Sequence, residues 1–340
     1  MAKVGIIGGS GFTGAELLRL LAAHPGIEVV AVTGDTQAGA QVADLYPSLR
    51  GAYGDLTYLP YAPEMVEGLD LLFCGLPHGA SQAMMPDLLD RVAHVVDLAA
   101  DFRLASAGDY PTWYGEAHTA PELLSRFAYG LPELHRDEIV ARGHVAVPGC
   151  YPTAAILALW PLVHAGLVDT TGIIVDAASG VSGAGRAPKP TNAFCAVDED
   201  FVAYGVGGHR HTPEMEQQLG ATVLFTPHLA PMNRGILATC YARPAHGAAV
   251  STESLRQAVA DAWADEPFVV PVAEPPHTKA TLGANTAQVN AVFDDRTGHV
   301  IAMAAIDNLT KGASGGAVQC ANLLLGLDET MGLPTVGMMP

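Results

Sequence analysis

Cys150 is the residue of this sequence best placed to act as a nucleophile. It follows Gly149 and precedes Tyr151-Pro152-Thr153 and the apolar run Ala154 to Val163. A proline at this point fits the first turn of a helix, so the sequence predicts that Cys150 lies at a helix N-terminus. There the helix dipole lowers the pKa of a thiol and favours the nucleophilic thiolate. The alternative is a buried cysteine with a structural role.

The other four cysteines lack this setting. Cys74, Cys240 and Cys320 lie inside apolar runs and are predicted core residues, whereas Cys195 lies in a predicted loop. Five cysteines without Cys-x-x-Cys spacing argue against a disulfide framework and against a tetrahedral thiolate metal site. We therefore expect a reducing compartment.

Two histidines could supply the acid or base that a thiolate nucleophile needs. His209 and His211 are two residues apart and face the same way if the backbone is extended. Thr212-Pro213-Glu214 predicts a helix start that places Glu214 to hydrogen-bond an imidazole. Two alternatives stay open: histidines without chemistry, and a metal site with His209, His211 and Glu214 as ligands. Since no second ligand cluster is evident, we expect no metal.

A glycine-rich turn near the start predicts a dinucleotide site. The stretch Gly8-Gly9-Ser10-Gly11-Phe12-Thr13-Gly14 follows the first predicted strand and leads directly into a helix. Glycines 8, 11 and 14 permit a tight turn, and the helix N-terminus offers unpaired N–H groups to a pyrophosphate. The alternative is a glycine-rich turn without a ligand.

Asp35 bears on the choice between the two nicotinamide dinucleotides. It ends the second predicted strand, near the position where an acidic residue binds a ribose 2′-hydroxyl and repels the 2′-phosphate of NADP. On this ground alone NAD is favoured. Alternatively, Asp35 only caps a turn with Thr36.

The elements around these residues divide the chain in two. The first 100 residues alternate short apolar runs with helix-like segments, which is typical of parallel strands joined by crossover helices. The predicted strands are Val4 to Ile7, Val29 to Thr33, Leu69 to Cys74 and Val95 to Leu98, with a helix over Ala15 to Ala23. This part is predicted to be an α/β, Rossmann-type doubly wound parallel sheet.

From about residue 170 the β-prone runs are longer. They cover Ile173 to Ala177, Thr222 to Thr226, Ile236 to Ala242, Thr286 to Phe293 and His299 to Ile306. Residues 294–298, Asp-Asp-Arg-Thr-Gly, suit a hairpin, which predicts an α+β domain with a mixed or antiparallel sheet. Thr310 to Leu325 has helical spacing and could pack on either domain.

The composition fits a soluble globular protein of two domains. The 340 residues are 49% hydrophobic and 15% charged, which excludes a disordered chain and a coiled coil. The formal net charge of −18 repels nucleic-acid backbones and anionic membranes, so neither is an expected partner. No apolar run approaches the ~20 residues of a membrane span, and no signal peptide is recognisable, so we expect a cytoplasmic protein.

Taken together, the motifs resemble those of the N-acetyl-γ-glutamyl-phosphate reductases of arginine biosynthesis. The similar segments are Gly8 to Gly14, Leu76-Pro77-His78-Gly79, Asp97 to Arg103, Gly149 to Thr153, Ser179 to Arg186 and His209 to Glu214. The resemblance runs in the same order from residue 4 to the C-terminal helix. It implies an NADP-binding domain over residues 1–149, completed by residues 310–340, and a catalytic and dimerisation domain over residues 150–309. Such enzymes are usually homodimers or homotetramers.

The resemblance also implies roles for individual residues of the second domain. Cys150 is expected to be the nucleophile and His211 the acid or base, with His209 and Glu214 in support. The expected reaction is attack of Cys150 on an acyl phosphate, loss of inorganic phosphate, and reduction of the resulting thioester by NADPH to a semialdehyde.

Substrate and cofactor residues are implied in the same way. Arg103 is expected to bind the phosphate or carboxylate of the substrate, with a surface ion pair as the alternative. Ser182 and Gly183 are expected to contribute to the substrate site, with a flexible loop as the alternative. The expected cofactor-binding residues are Gly8, Ser10, Gly11, Phe12, Thr13, Gly14 and Asn308.

Some alternatives remain. The family often carries Ser or Arg near position 35, so Asp35 leaves NAD open beside NADP. An aspartyl phosphate or the carrier-linked aminoadipyl phosphate of lysine biosynthesis could replace the substrate, although Tyr151-Pro152-Thr153 stands where the lysine-route enzymes commonly have Asn-Ala-Thr. A metal hydrolase and a non-catalytic dinucleotide sensor are the alternatives from other classes.

Overall fold

The computed structural model describes residues 1–339, which form two compact units. Unit 1 comprises Met1–Pro148 and Ala313–Leu333, and unit 2 comprises Gly149–Gly312 and the segment that begins at Pro334. The predicted boundary between the two domains lies one residue later, and the prediction assigned the whole of residues 310–340 to the first domain. The last segment instead pairs within unit 2, where the carbonyl of Pro334 accepts a hydrogen bond from Asn285 N–H at 2.7 Å. No helix within the described residues is long and apolar enough to span a membrane.

Unit 1 is built on a parallel six-stranded sheet with the order β2-β1-β3-β4-β6-β5. Its strands are β1 (Ala2–Ile7), β2 (Ile27–Val32), β3 (Leu71–Cys74), β4 (His94–Asp97), β5 (Ala128–Tyr129) and β6 (His144–Ala146). The four predicted strands are confirmed within two residues at each end, and every residue of β3 is buried, as expected for a sheet covered on both faces. The sequence missed β5 and β6, which are too short for a recognisable apolar period.

Unit 2 contains a mixed seven-stranded sheet with the order β11-β12-β13-β10-β7-β9-β8. Its strands are β7 (Ile173–Gly180), β8 (Val202–Ala203), β9 (Val223–Ala230), β10 (Ile236–Ala242), β11 (Val269–Pro271), β12 (Ala287–Asp294) and β13 (His299–Ile306). The predicted hairpin is confirmed, because β12 and β13 pair antiparallel with Asp294 opposite His299. The sequence did not predict β8 or β11.

Seven α-helices of eight residues or more occur in the described chain. They are α1 (Phe12–Leu21), α2 (Ala80–Leu88), α3 (Pro132–Arg142), α4 (Cys150–His164), α5 (Thr212–Leu219), α6 (Thr252–Ala262) and α7 (Gly315–Leu324). Short helices cover Val42–Leu45, Arg50–Tyr53, Tyr110–Tyr114 and Phe194–Val197. In unit 2, α4 is buried along nearly its whole length and packs on β10, β12 and β13 and against α5 and α6.

The C-terminal helix α7 packs in unit 1, which settles where the predicted helix lies. The side-chain amide of Gln319 donates to the carboxylates of Glu133 at 3.1 Å and Glu329 at 2.8 Å. Arg136 forms a bidentate ion pair with Glu329. Ser314, just before α7, donates its hydroxyl to the carbonyl of Thr13 at 2.8 Å. These contacts tie the end of the chain to the glycine-rich turn and to α3.

Candidate active site

Cys150 is the first residue of α4, as predicted. Gly149 precedes it as the N-cap in the extended conformation, with φ −65° and ψ 150°. Thr153 directs both its N–H and its hydroxyl to the carbonyl of Gly149, each at 3.0 Å. Pro152 occupies the first turn, where its missing N–H costs no hydrogen bond. The thiol is partly exposed and lies at the positive end of the helix dipole, which favours its thiolate form.

Gly312 packs against Cys150. A Cβ at position 312 would lie only 2.8 Å from the Cβ of Cys150. The N–H of Gly312 donates to the carbonyl of Asp307 at 3.0 Å, which holds this approach. Any side chain at position 312 would therefore displace the thiol.

The imidazole of His211 packs on Gly149. A Cβ at position 149 would lie 2.5 Å from Nε2 of His211, so only glycine lets the ring come this close. His211 is the N-cap of α5, and its side chain is 11% exposed. The structure therefore brings His211 to the residue next to Cys150, within the same unit.

Glu214 is fully buried and touches both parts of the site. Its Oε2 accepts a hydrogen bond from the N–H of Gly149 at 2.9 Å. Its Oε1 lies 4.0 Å from Nε2 of His211, which is an ion-pair distance between these two atoms. The sequence predicts a hydrogen bond between Glu214 and an imidazole; the 4.0 Å between Oε1 and Nε2 of His211 is longer than a hydrogen bond, and the carboxylate accepts the backbone N–H of Gly149.

His209 lies beside His211 in a turn rather than in an extended segment. The N–H of His211 donates to Nδ1 of His209 at 3.1 Å, and the two ring centroids are 4.7 Å apart. Because Nδ1 accepts this bond, a neutral His209 carries its proton on Nε2. Burial and, to a smaller extent, the charge of Arg210 lower the pKa of His209 to about 4. His209 is thus suited to hold its neighbour rather than to exchange protons.

Asn308 and Ser182 meet in the interior of unit 2. The amide of Asn308 donates to the hydroxyl of Ser182 at 3.0 Å, and its oxygen accepts the N–H of Gly235 at 2.7 Å. The N–H of Ser182 donates to the carbonyl of Asn233 at 3.2 Å, so it serves the local fold. Gly183 lies beside this pair, since a Cβ there would be 3.7 Å from Nδ2 of Asn308 and 3.0 Å from Oγ of Ser179.

Asp307 is a residue that sequence reasoning missed. Its fully buried carboxylate pairs with Arg234 and accepts the N–H groups of Gly283, Leu309 and Thr310 at 2.6, 2.8 and 3.0 Å. It therefore fixes the segment that carries Asn308 and reaches Cys150 through Gly312. The available signal was the run of polar residues after the apolar β13 strand.

Arg103 is buried in unit 1 and is not a surface residue. Its Nη2 donates to the carbonyl of Leu98 at 2.8 Å, and only 9% of the residue is exposed. Its charge acts on Asp97, whose carboxyl receives hydrogen bonds from Ser81 Oγ at 2.6 Å and Ala99 N–H at 3.0 Å. Burial raises the pKa of Asp97 to about 7, against the opposing effects of the hydrogen bonds from Ser81 and Ala99 and, more weakly, of the charge of Arg103.

Asp101 organises the same edge of unit 1, which the sequence did not reveal. Its buried carboxylate accepts the N–H groups of Gly79 and Gln82, both at 2.9 Å, and so caps α2 from outside the helix. It also pairs with His78, whose ring packs at a tilt against Tyr114 with 4.3 Å between centroids. The segment Leu76-Pro77-His78-Gly79 is thus fixed at the carboxyl end of β3.

The glycine-rich turn has the shape of a cradle for a dinucleotide. Gly8 has a positive φ of 79°, and a Cβ there would lie 2.4 Å from the carbonyl oxygen of Gly75. A Cβ on Gly14 would lie 2.4 Å from the backbone of Gly9. The turn lies between β1 and β3, where the strand order reverses and α/β sheets bind their ligands. Only glycine fits at positions 8 and 14, whereas a Cβ at Gly11 would meet nothing closer than 3.7 Å; the tight turn before α1 fits a bound pyrophosphate.

The other residues of this turn have local contacts. Phe12 begins α1 with Gly11 as its N-cap. Ser10 donates its hydroxyl to the carbonyl of Gly34 at 3.1 Å, and the carbonyl of Thr13 accepts Ser314. The side chain of Ser10 therefore closes the turn against the end of β2.

Asp35 is exposed and strained at the end of β2. It has a positive φ of 46° and begins a short 3₁₀ turn, Asp35–Gln37. Its own carbonyl accepts the N–H of Ala38 at 2.9 Å.

The two histidines and Glu214 do not form a metal-binding group. Across residues 1–339, no three His, Cys, Asp or Glu side chains come together in a way that could hold a metal ion. The geometry at His209, His211 and Glu214 thus gives no support to the metal-hydrolase alternative.

Solved structures share this fold. An aspartate semialdehyde dehydrogenase II from Vibrio cholerae superposes with a TM-score of 0.73 at 17% identity, over 96% of this chain and 98% of that one. An aspartate semialdehyde dehydrogenase with NADP from Candida albicans gives a TM-score of 0.69 at 16% identity, over 96% and 98%.

Sequence comparison places the chain more narrowly. Residues 3–142 match the NAD binding domain of semialdehyde dehydrogenases, and residues 150–308 match their dimerisation domain. Proteins called N-acetyl-gamma-glutamyl-phosphate reductase from Desulforudis audaxviator and Geobacter sulfurreducens are 49% and 47% identical, over the full length of both chains in each case. The relative of that name from Pseudomonas aeruginosa is 47% identical, also over both full lengths. The chain therefore belongs to the N-acetyl-gamma-glutamyl-phosphate reductases, within the semialdehyde dehydrogenase family.

Proposed function

We propose that this protein reduces N-acetyl-γ-glutamyl phosphate to N-acetylglutamate 5-semialdehyde, with NADPH as the hydride donor and release of phosphate, in arginine biosynthesis. The observation that carries the chemistry is Cys150 at the first residue of α4, with His211 packed on Gly149. The substrate is supported by full-length relatives that carry this name. The related lysine-route and aspartyl enzymes are not favoured by those names.

Cys150 is the proposed nucleophile. Its thiolate attacks the γ-carbonyl carbon of the acyl phosphate, the C–O bond to phosphate breaks, and inorganic phosphate leaves with the electron pair. The product is a thioester on Cys150, which accepts a hydride more readily than a carboxylate does. The positive end of the α4 dipole stabilises the thiolate before each turnover.

His211 is the proposed proton donor and acceptor. When the thioester is reduced, it protonates the oxygen of the thiohemiacetal, and it takes a proton back as the carbon–sulfur bond breaks and the semialdehyde leaves. Glu214 and His209 hold the ring through the contacts described above. The Cys150 thiolate is regenerated.

The substrate is an anion on a protein with a formal charge of −18, so local cations and dipoles must bind it. Arg103 is the proposed partner of its phosphate or carboxylate, because a planar guanidinium makes paired hydrogen bonds to such groups. Ser182 and Gly183, held by Asn308, are the proposed substrate contacts in unit 2.

A nicotinamide dinucleotide is the proposed cofactor, held at Gly8, Ser10, Gly11, Phe12, Thr13 and Gly14, with Asn308 toward its nicotinamide. When bound, it supplies the hydride that reduces the thioester. NADP is the proposed form, supported by the resemblance to the reductase family. Asp35 leaves NAD as an alternative, since a carboxylate at the end of β2 repels a 2′-phosphate.

A second copy of the chain is the proposed partner, at the face of the unit 2 sheet that α4 leaves uncovered. Along β7, Ile173 and Val175 are buried whereas Ile174, between them, is 38% exposed. Leu224 on β9 is 57% exposed on the paired position. The match to a dimerisation domain supports a homodimer or homotetramer. Light scattering of wild type and of Leu224→Glu tests this, because a charge in an apolar interface should produce monomers.

The central experiment is the reverse reaction. N-acetylglutamate semialdehyde and phosphate should reduce NADP, and alkylation of thiols should abolish the reaction. Cys150→Ser should still bind cofactor but lose about 10⁴-fold or more in turnover, as for other lost nucleophiles. Cys195→Ser, which changes an exposed cysteine, is the matched control and should retain activity. Normal turnover by Cys150→Ser would refute the covalent route, and faster turnover of aspartate or aminoadipate semialdehyde would refute the substrate.

A further inference from the structure

Tyr151 follows the proposed nucleophile and is almost completely buried, at 2% exposure. Its hydroxyl donates to the carbonyl of His228 on β9 at 2.9 Å. This bond ties the first turn of α4 to a strand 77 residues further along the chain. The position of Cys150 is therefore fixed by a side chain as well as by the helix.

The ring of Tyr151 also touches both histidines of the site. Its centroid lies 5.9 Å from that of His209 and 6.0 Å from that of His211, both in edge-to-face geometry. Aromatic pairs in this geometry contribute about 0.5–1.5 kcal/mol beyond the area they bury. Tyr151 is thus in contact with the proposed acid or base and is covalently next to the proposed nucleophile.

Tyr204 completes the arrangement. Its hydroxyl donates to the hydroxyl of Tyr151 at 3.1 Å, and its ring lies 5.5 Å from that of His209, edge to face. Phe225 lies 5.3 Å from the same imidazole. His209 is therefore enclosed by three aromatic rings, and His209 in turn accepts the backbone N–H of His211.

We infer that Tyr151 is a positioning residue, which sets the orientation of His211 relative to Cys150 through the hydroxyl chain Tyr204 to Tyr151 to the His228 carbonyl. The inference rests on the proposed function for its catalytic consequence. A tyrosine is needed because phenylalanine would keep the ring contacts and lose the hydroxyl that anchors them. Burial raises the pKa of Tyr204 to about 12 and that of Tyr151 still further, so the chain of hydroxyls stays uncharged at working pH.

The test uses Tyr151→Phe and Tyr204→Phe in a Cys195→Ser background. In that background Cys150 is the cysteine open to reagent, since Cys74, Cys240 and Cys320 are buried. The first readout is the rate of iodoacetamide alkylation against pH, which needs no cofactor or substrate. The second is kcat and KM for the semialdehyde, with the dissociation constant of NADP from calorimetry.

Tyr151→Phe should shift the alkylation midpoint to higher pH, toward an ordinary thiol, because a loosened imidazole stabilises the thiolate less well. Its kcat should fall about 10- to 100-fold, as expected for a small misplacement of reacting groups, with KM and NADP affinity within about twofold of wild type. Tyr204→Phe, which keeps the bond to His228, should show the same shifts at smaller size. Tyr61→Phe, at an exposed position of unit 1, is the matched control.

An unchanged alkylation profile and kcat in Tyr151→Phe would overturn the inference. If that variant does not fold, Tyr204→Phe decides, and wild-type values in it count against the inference. Wild-type protein that fails to reduce NADP with the semialdehyde would refute the proposed function, whereas the alkylation profiles would still decide the role of Tyr151.

Discussion

Glu214 accepts a hydrogen bond from the backbone N–H of Gly149 at 2.9 Å, although the two residues are 65 positions apart. The carboxylate is fully buried and also lies 4.0 Å from Nε2 of His211. One side chain thus links the residue before Cys150, the proposed nucleophile, to the imidazole of His211. Its position and its charge can be tested separately.

Glu214→Gln should keep the hydrogen bond from the N–H of Gly149 and lose the ion pair with His211. The amide oxygen can still accept the N–H of Gly149, so thermal stability should stay near that of wild type. The charge beside His211 is lost, so kcat should fall. The fall should be smaller than the loss of about 10²- to 10⁴-fold that follows removal of a general acid or base. Steady-state kinetics and thermal unfolding measure both.

Glu214→Ala is the matched comparison. It leaves the N–H of Gly149 buried without its acceptor, which should cost about 1–3 kcal/mol of stability in addition to activity. Equal stability of the Gln and Ala variants would show that the hydrogen bond to Gly149 is not needed. Full activity in Glu214→Gln would show that the charge is not needed.

Local sequence signals predicted the helix start at Cys150 and most of the strands. Cys150 could be placed because Gly149, Pro152 and the following apolar run all lie within a few residues of it, and helix starts are encoded locally. The long strands β10 and β13 match their predicted bounds, Ile236–Ala242 and His299–Ile306. The two- and three-residue strands were not predicted, because a hydrophobic period cannot be recognised over so few residues.

Most contacts within the site could not be predicted from the sequence. Even the short-range, edge-to-face contact of His209 with His211 could not be predicted, because it depends on a turn where we expected an extended segment. The ion pair between Asp307 and Arg234 joins residues 73 positions apart, and the hydrogen bond from Tyr151 to the carbonyl of His228 joins residues 77 positions apart. Such pairs follow from the tertiary fold, and a single sequence carries no signal of which residues meet.

Gly8→Ala should weaken cofactor binding. The residue has a φ of 79°, which costs an L-residue about 1–2 kcal/mol, and the new Cβ would lie 2.4 Å from the carbonyl oxygen of Gly75. Because the Cβ is fixed by the backbone at position 8 and the Gly75 oxygen is itself backbone, the turn must move. NADP affinity measured by calorimetry should fall at least about tenfold, which corresponds to about 1.4 kcal/mol.

The control for this prediction is Gly51→Ala. Gly51 lies in the short helix Arg50–Tyr53 with no atom near its missing Cβ, so alanine should fit without strain. Unchanged NADP affinity in Gly8→Ala would remove the glycine-rich turn from the cofactor site.

Asp35→Ser should move the cofactor preference toward NADP. Two charges about 4 Å apart in water interact by about 1 kcal/mol, so removal of this exposed carboxylate should improve NADP affinity about fivefold. NAD affinity should fall or stay unchanged, because a partner of the 2′-hydroxyl is lost. The ratio of kcat/KM for the two cofactors measures the effect, with the exposed Asp90→Ser as control. An unchanged ratio would mean that Asp35 points away from the ribose.

Asp97 should make unit 1 less stable as the pH rises. Its pKa is raised by burial to about 7, whereas an unfolded aspartate has 3.8, so between these values the folded state holds one more proton than the unfolded state. Stability should therefore fall by up to about 1.4 kcal/mol per pH unit from about pH 4 to pH 7. Asp97→Asn should remove this slope, because an amide does not titrate. The variant should still fold, since the amide can accept from the N–H of Ala99 and donate to the hydroxyl of Ser81. Urea midpoints at pH 5 and pH 7.5 measure it, with the exposed Asp87→Asn as control. If Asp97→Asn keeps the wild-type slope, then Asp97 is ionised in the folded protein at pH 5, and the hydrogen bonds from Ser81 and Ala99 together with the charge of Arg103 outweigh burial.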